Sequence, residues 1–219
     1  MLDFVHCDTF REAVKLASCQ SFTHCDMSPG DYSLFSHGQE DLFGRDELGV
    51  GTISVHVKSK LCIVGRGEVT LRGQVCFERG SAGSLIKNVR IDSNLSHNVD
   101  GELSRETSSA STMNLGSASA VSIESGNVRM EECEVLSGMH GIEIGDIGPG
   151  AKAILLNNQI HHCAGSGVYV HGSACAIMVN CACDKNNRNG VCVSGGTFFF
   201  NSLINFKFYQ QTPNQLKCQ

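Results

Sequence analysis

Tryptophan is absent, proline occurs only three times and helical patterns are few, whereas glycine occurs 24 times. That balance disfavours a helical protein and points to many short strands joined by tight turns. No stretch is long and apolar enough to read as a membrane span. The N-terminus, Met1-Leu2-Asp3-Phe4-Val5-His6-Cys7-Asp8, lacks the basic region and apolar run of a secretory signal. Clusters of Lys or Arg with interleaved aromatics are missing too, and 22 acidic against 17 basic residues give a net charge of -5. Nucleic acid and membrane are therefore not expected among the partners, and the expected location is intracellular, cytoplasmic or nuclear.

What the chain does have is twelve cysteines. Secreted disulfide scaffolds are usually small, and these cysteines sit mostly inside apolar strand-like runs. The expectation is reduced thiols packed as small hydrophobes.

The chain also repeats itself. Gly141-Ile142-Glu143-Ile144-Gly145, Gly167-Val168-Tyr169-Val170-His171 and Gly190-Val191-Cys192-Val193-Ser194 share one pattern, with starts 26 and then 23 residues apart. The longer interval fits extra residues in the Asp146-Ile147-Gly148-Pro149-Gly150 turn. Running back without gaps, Ile154 meets Ile177, Leu155 meets Met178, Asn158 meets Cys181 and Ile160 meets Cys183. One coil upstream, Val121 and Ile123 precede Ile142 and Ile144, Met130 falls over Leu155, Cys133 over Asn158 and Val135 over Ile160. Each coil supplies short alternating strands that cannot bury their inward side chains without a neighbour above and below. The expected fold is all-β: a right-handed single-stranded parallel β-helix, a solenoid of coils of about 23 residues, in which equivalent positions stack about 4.8 Å apart. Asn158 falls where an inward amide could bond along such a stack, or where a turn residue could adopt left-handed geometry.

The reading is of one domain over 1–219. Residues 9–18 form a short capping helix with an apolar stripe at Phe10, Val14 and Ala17, and the coil pattern is entered by about residue 52. A Ser-rich insertion loop spans 92–119, the clearest coils span 120–206, and 207–219 reads as an irregular tail, as at the cut end of a longer solenoid.

The Gly-Ile-Glu-Ile-Gly element, Ala153-Ile154-Leu155-Leu156-Asn157-Asn158-Gln159-Ile160-His161 and Gly167-Val168-Tyr169-Val170 resemble the right-handed β-helix repeat family, of pectin-lyase-like fold. Within it the pattern looks most like the repeats of F-box substrate receptors and of the SHC SH2-domain-binding spindle protein. That resemblance implies a solenoid that holds protein partners. No F-box-like helical segment precedes the coils, so a ubiquitin-ligase role is not carried over.

Two fragments, Asn98-Val99-Asp100-Gly101 and Met139-His140-Gly141, resemble parts of the polygalacturonase pattern. Glycoside hydrolysis needs carboxylates converging on one bond. The slots that would hold them read Gly138-Met139-His140 and Gly165-Ser166-Gly167, which leaves Glu143 and Asp146 near His140. Lyase chemistry needs a basic residue close to the substrate, and the coils offer few beyond Arg129, Lys152, Lys185 and Arg188. No catalytic residue is assigned. His161, His162, Cys163, Cys175, Cys181 and Cys183 include zinc-ligand types, but two thiols on one strand face do not bring four ligands together. No metal and no cofactor is expected.

Positions between the inward aliphatics face outward, so Glu143 and Tyr169, flanked by His171, form the expected binding face. The expected function is a non-enzymatic scaffold holding a protein partner along that face. A carbohydrate-binding or carbohydrate-active module is the alternative.

Overall fold

The computed structural model describes residues 5–7, 10–19, 24–34, 54–93, 118–145, 150–201, 208–210 and 216–218. The strands stack as three parallel ladders, the three faces of a solenoid. The first face runs from Ser54–Val57 through Gln74–Phe77, Val121–Ile123 and Ile142–Ile144 to the start of Val168–Val179 and of Val191–Asn201. The second begins with Val5–Cys7 and His24–Met27 and continues through Cys62–Gly65, Ser84–Lys87, Asn127–Glu131 and Lys152–Leu156 into the second halves of the same two long strands. The third links Gly30–Ser33, Val69–Arg72, Arg90–Asp92, Glu134–Leu136, Gln159–His161 and Ala182–Asp184. Val168–Val179 and Val191–Asn201 pass from the first face to the second with a register shift between Gly172 and Cys175 and pair again beyond it, which joins those faces into one sheet.

Alternation explains the core. On the first face Val121, Ile142, Val168 and Val191 form one inward column and Ile123, Ile144, Val170 and Val193 another, all buried. On the second face Ile63, Ile86, Met130, Leu155 and Met178 stack; on the third, Leu71, Ile91, Val135, Ile160 and Cys183. Each fully buried aliphatic contributes about 1.5–3 kcal/mol, so one coil removed from the stack exposes its neighbours as well as itself. The registers expected from the repeat are the observed ones. The glycines opening the later first-face strands are required by coil spacing: a Cβ on Gly141 would lie 2.7 Å from the Gly167 carbonyl oxygen.

The helix spans Phe10–Cys19, one residue later than expected at each end. Phe10 and Ala13 are buried in the core cluster, with Val14 and Leu16 packed against it. Three boundaries differ from the sequence reading. Strand stacking starts at Val5–Cys7 and His24–Met27 rather than near residue 52, because short strands separated by long connections carry no visible period. Asp92 still belongs to a third-face strand and Ser119 bridges to Gly138, so both ends of the expected insertion lie within the coils. Residues 94–117 are outside the described residues. The tail read as irregular contains Phe208–Gln210 and Leu216–Cys218, paired with 191–193 and 198–200. Three-residue strands are too short to read alone, but the preceding coil templates them.

The corners follow one rule. Between the second and third faces, Asn88, Glu132, Asn157 and Asn180 occupy the same position of successive coils, all with φ between 52° and 55°. The residue after each turns inward: Val89, Cys133, Asn158 and Cys181 are all buried. Asn158 Oδ1 accepts the Cys133 N–H at 2.8 Å and its Nδ2 donates to the Met130 carbonyl at 3.0 Å. Cys133 and Cys181 instead donate their thiols to nearby backbone carbonyls. The corner from the third face to the first repeats the device. His162 and Lys185 are left-handed, and after Lys185 the Asn186 amide accepts the Cys163 N–H at 3.0 Å and donates to the Ile160 carbonyl at 3.3 Å.

Candidate functional site

Outward positions of the first face form two columns. One holds His56, Cys76, Ser122, Glu143, Tyr169 and Cys192 in register. The other, two residues on, holds Lys58, Glu78, Glu124, Gly145, His171 and Ser194, aligned by Glu78 N–H to Val57 O, Glu124 N–H to Phe77 O and Gly145 N–H to Ile123 O. Two clusters of polar side chains result.

The lower cluster contains the three residues expected to bind. His171 Nε2 lies 3.2 Å from Glu143 Oε1, and the hydroxyl of Ser119 donates to Glu143 Oε2 at 2.6 Å. The His171 ring sits over Gly145, where a Cβ would lie 2.0 Å from Nε2, so glycine supplies its seat. Tyr169 is stacked against His171, with centroids 5.0 Å apart, and against His140 at 4.7 Å. His140 Nδ1 accepts the Ser166 N–H at 3.1 Å, which places the proton of the neutral ring on Nε2. Burial holds the His140 pKa below the ordinary histidine value, with Glu143 opposing and Arg188 and His171 adding to the depression. Asp146 and Asp100, the other acids weighed for hydrolysis, lie outside the described residues.

The upper cluster was not singled out from the sequence. His56 Nδ1 is hydrogen-bonded to Glu78 Oε1, Lys58 lies 3.5 Å from Glu78 Oε2, and the Cys76 thiol donates to Glu124 Oε1 at 3.3 Å. Burial first, then the Glu124 charge, drive the Cys76 pKa far up. Glu78 and Glu124 are thus paired acids at equivalent positions of adjacent coils. The sequence hides the pairing because the insertion separates them, although Val55-His56-Val57-Lys58, Val75-Cys76-Phe77-Glu78 and Val121-Ser122-Ile123-Glu124 carry one alternation.

The zinc-ligand types noted at the C-terminal coils are not gathered. Cys163, Cys181 and Cys183 are buried, and the thiols of Cys163 and Cys181 donate to backbone carbonyls. Among the described residues, the grouping whose ligand atoms converge is His56, Cys76 and Glu78, all within 4.8 Å of one another.

A family model described as the right-handed beta helix region matches residues 79–207, more than half of the chain. The chain belongs to the right-handed β-helix family. No match was found among curated proteins or among solved structures.

The other two faces of this β-helix differ in chemistry. The third face presents the ion pairs Arg72 with Asp31 at 2.7 Å and Arg90 with Glu134 at 3.2 Å, and a hydrogen bond between His161 Nε2 and Glu134 Oε1 at 2.8 Å. The second presents apolar side chains outward over the later coils. Ile154 pairs with Ile177 and Ile177 with Phe199, and Leu156 pairs with Val179 beside them. Ile177 is 38% exposed and the rest are half-buried. Among the described residues no helix is long and apolar enough to cross a membrane.

Proposed function

We propose that this β-helix is a non-enzymatic scaffold that holds a protein partner along its exposed sheet faces. The observation that carries the reading is the outward column Ile154–Ile177–Phe199, with Leu156 and Val179 beside it, on a sheet whose other outward residues include Arg129, Glu131 and Lys152. An apolar centre with a charged margin is the make-up of a protein–protein interface. Glu143, Tyr169 and His171 lie on the adjoining first face, joined to this column through the continuous strands, and supply the polar contacts. The reading agrees with the pattern shared with the repeats of F-box receptors and of the SHC-binding spindle protein. It places the scaffold inside the cell, where thiols stay reduced.

The carbohydrate alternative draws on the Glu78–Glu124 pairing, but Glu78 is engaged by His56 and Lys58 and Glu124 by Cys76. A sugar also stacks on an open aromatic face, and the Tyr169 ring is already stacked with His140 and His171.

Two assays test the proposal. Folded protein incubated with uronic and neutral polysaccharides, with and without calcium, should give neither new chain ends nor saturable binding. Partners captured from cell extract by the wild type should be lost with Ile177→Asp and kept with Lys185→Glu, on an exposed corner. Glycan cleavage or saturable glycan binding overturns the scaffold reading, as does a partner set indifferent to Ile177→Asp.

A further inference from the structure

The upper cluster of the first face has a composition that partner binding does not require. A thiol, an imidazole and two carboxylates converge from three successive coils: His56 from the strand Ser54–Val57, Cys76 and Glu78 from the coil that follows, and Glu124 from the one after. We propose that His56, Cys76, Glu78 and Glu124 form a binding site for a divalent transition-metal ion of the zinc type.

Three observations support the assignment. His56, Cys76 and Glu78 offer ligand atoms within 4.8 Å of one another, and Glu124 Oε1 already touches the Cys76 sulfur at 3.3 Å. Tetrahedral zinc, with bonds of about 2.0–2.3 Å, spaces its ligands about 3.3–3.8 Å apart, so closing the shell needs side-chain movements of about an ångström. The donors are of mixed softness: sulfur and imidazole nitrogen select zinc-like ions over calcium and magnesium, and the carboxylates complete four ligands. His56 and Cys76 also project from paired strands, and Glu78 and Glu124 follow theirs by one residue, held by Glu78 N–H to Val57 O and Glu124 N–H to Phe77 O, which fixes them more rigidly than a free loop would. A cation there would offset the negative charge of Glu78 and Glu124, an offset to which the Lys58 ammonium contributes at 3.5 Å from Glu78 Oε2.

The ion would clip together coils on both sides of residues 94–117, since His56, Cys76 and Glu78 precede that segment and Glu124 follows it. Its role is thus structural, with all four positions taken by protein and no open position for a reacting water. Binding releases the thiol proton as the sulfur becomes a ligand.

The test titrates metal-free, full-length, reduced protein with Co²⁺, whose thiolate complexes absorb in the near ultraviolet, and then displaces it with Zn²⁺. One equivalent of Co²⁺ should raise the thiolate-to-cobalt band, Zn²⁺ should remove it, and Cys76→Ser should abolish it. His56→Ala alters a partly exposed side chain outside the core and should weaken Co²⁺ binding about tenfold or more, with the circular dichroism unchanged. Zn²⁺ should raise the melting temperature of the wild type and not that of His56→Ala. A band that survives in Cys76→Ser places the metal on another of the cysteines and overturns the assignment. Absence of any band at one equivalent, or wild-type affinity in His56→Ala, overturns it as well.

Discussion

Replacing Asn158 separates two roles that adjacent asparagines play at one corner. Asn157 is exposed and left-handed, with φ of 55°, while Asn158 is 1% exposed and bonds both the Cys133 N–H and the Met130 carbonyl. Asn158→Ala strands a donor and an acceptor in the core. At about 1–3 kcal/mol for each unsatisfied group, the expected loss is about 2–6 kcal/mol. Asn158→Cys should recover part of it, because cysteine fills the equivalent place in the coils on either side and bonds its thiol to backbone carbonyls. Asn157→Gly should stay within about 0.5 kcal/mol of wild type, since glycine adopts the left-handed conformation freely, whereas Asn157→Ala should lose about 1–2 kcal/mol. Urea denaturation gives the midpoints, and hydrogen exchange at the Cys133 amide reports the same corner directly. Should Asn158→Ala unfold within about 0.5 kcal/mol of wild type with the Cys133 amide still protected, the inward amide does not hold the corner and the reasoning fails.

Further outcomes follow from the buried titratable groups. His140 has a folded pKa below its unfolded value, so the unfolded chain binds the proton first. Its contribution leaves stability unchanged at neutral and higher pH and lowers it as pH falls through the unfolded histidine pKa towards the folded one. Denaturation midpoints compared between wild type and His140→Gln across that range should converge as the pH falls; parallel curves would refute the assignment. Burial pushes the Cys133 and Cys163 thiols up to about 12, leaving roughly one in ten thousand as thiolate at pH 8. Native-state alkylation followed by peptide mass spectrometry should therefore label the half-buried Cys175 and Cys192 well ahead of them. Equal labelling would mean that the corners open.

The fold was legible because the glycine–aliphatic–x–aliphatic element recurs without gaps, and a one-residue slip would have turned every inward side chain outward. Leu155 over Met178 and Ile160 over Cys183 were fixed that way. The early strand His24–Met27 was not, because too few alternating residues separate it from its connections. Glu143, Tyr169 and His171 were expected to share a face and do, but the covering of Tyr169 by His140 depends on side-chain directions that spacing does not give. The outward column Ile154–Ile177–Phe199 was hidden for another reason: in the run Ala153-Ile154-Leu155-Leu156 inward and outward residues are both apolar, so alternation vanishes. Asn186 was overlooked because its neighbour is lysine, although a left-handed residue followed by an inward asparagine marks it as clearly as Asn157-Asn158.

The described residues on either side of 94–117 are both anchored to the next coil, Ser93 N–H to Leu136 O and Ala120 N–H to His140 O. Strand pairing resumes at Val121 in the register it would have had with a turn of ordinary length. The corner between the third and first faces therefore behaves as a splice junction. Chain can be added or removed there at an entropic cost that grows only with the logarithm of its length, while a single residue gained or lost inside a strand would reverse a whole face. Such a junction lets the length of the connecting chain vary independently of the ladder, so that one rigid ruler can accept insertions of many sizes.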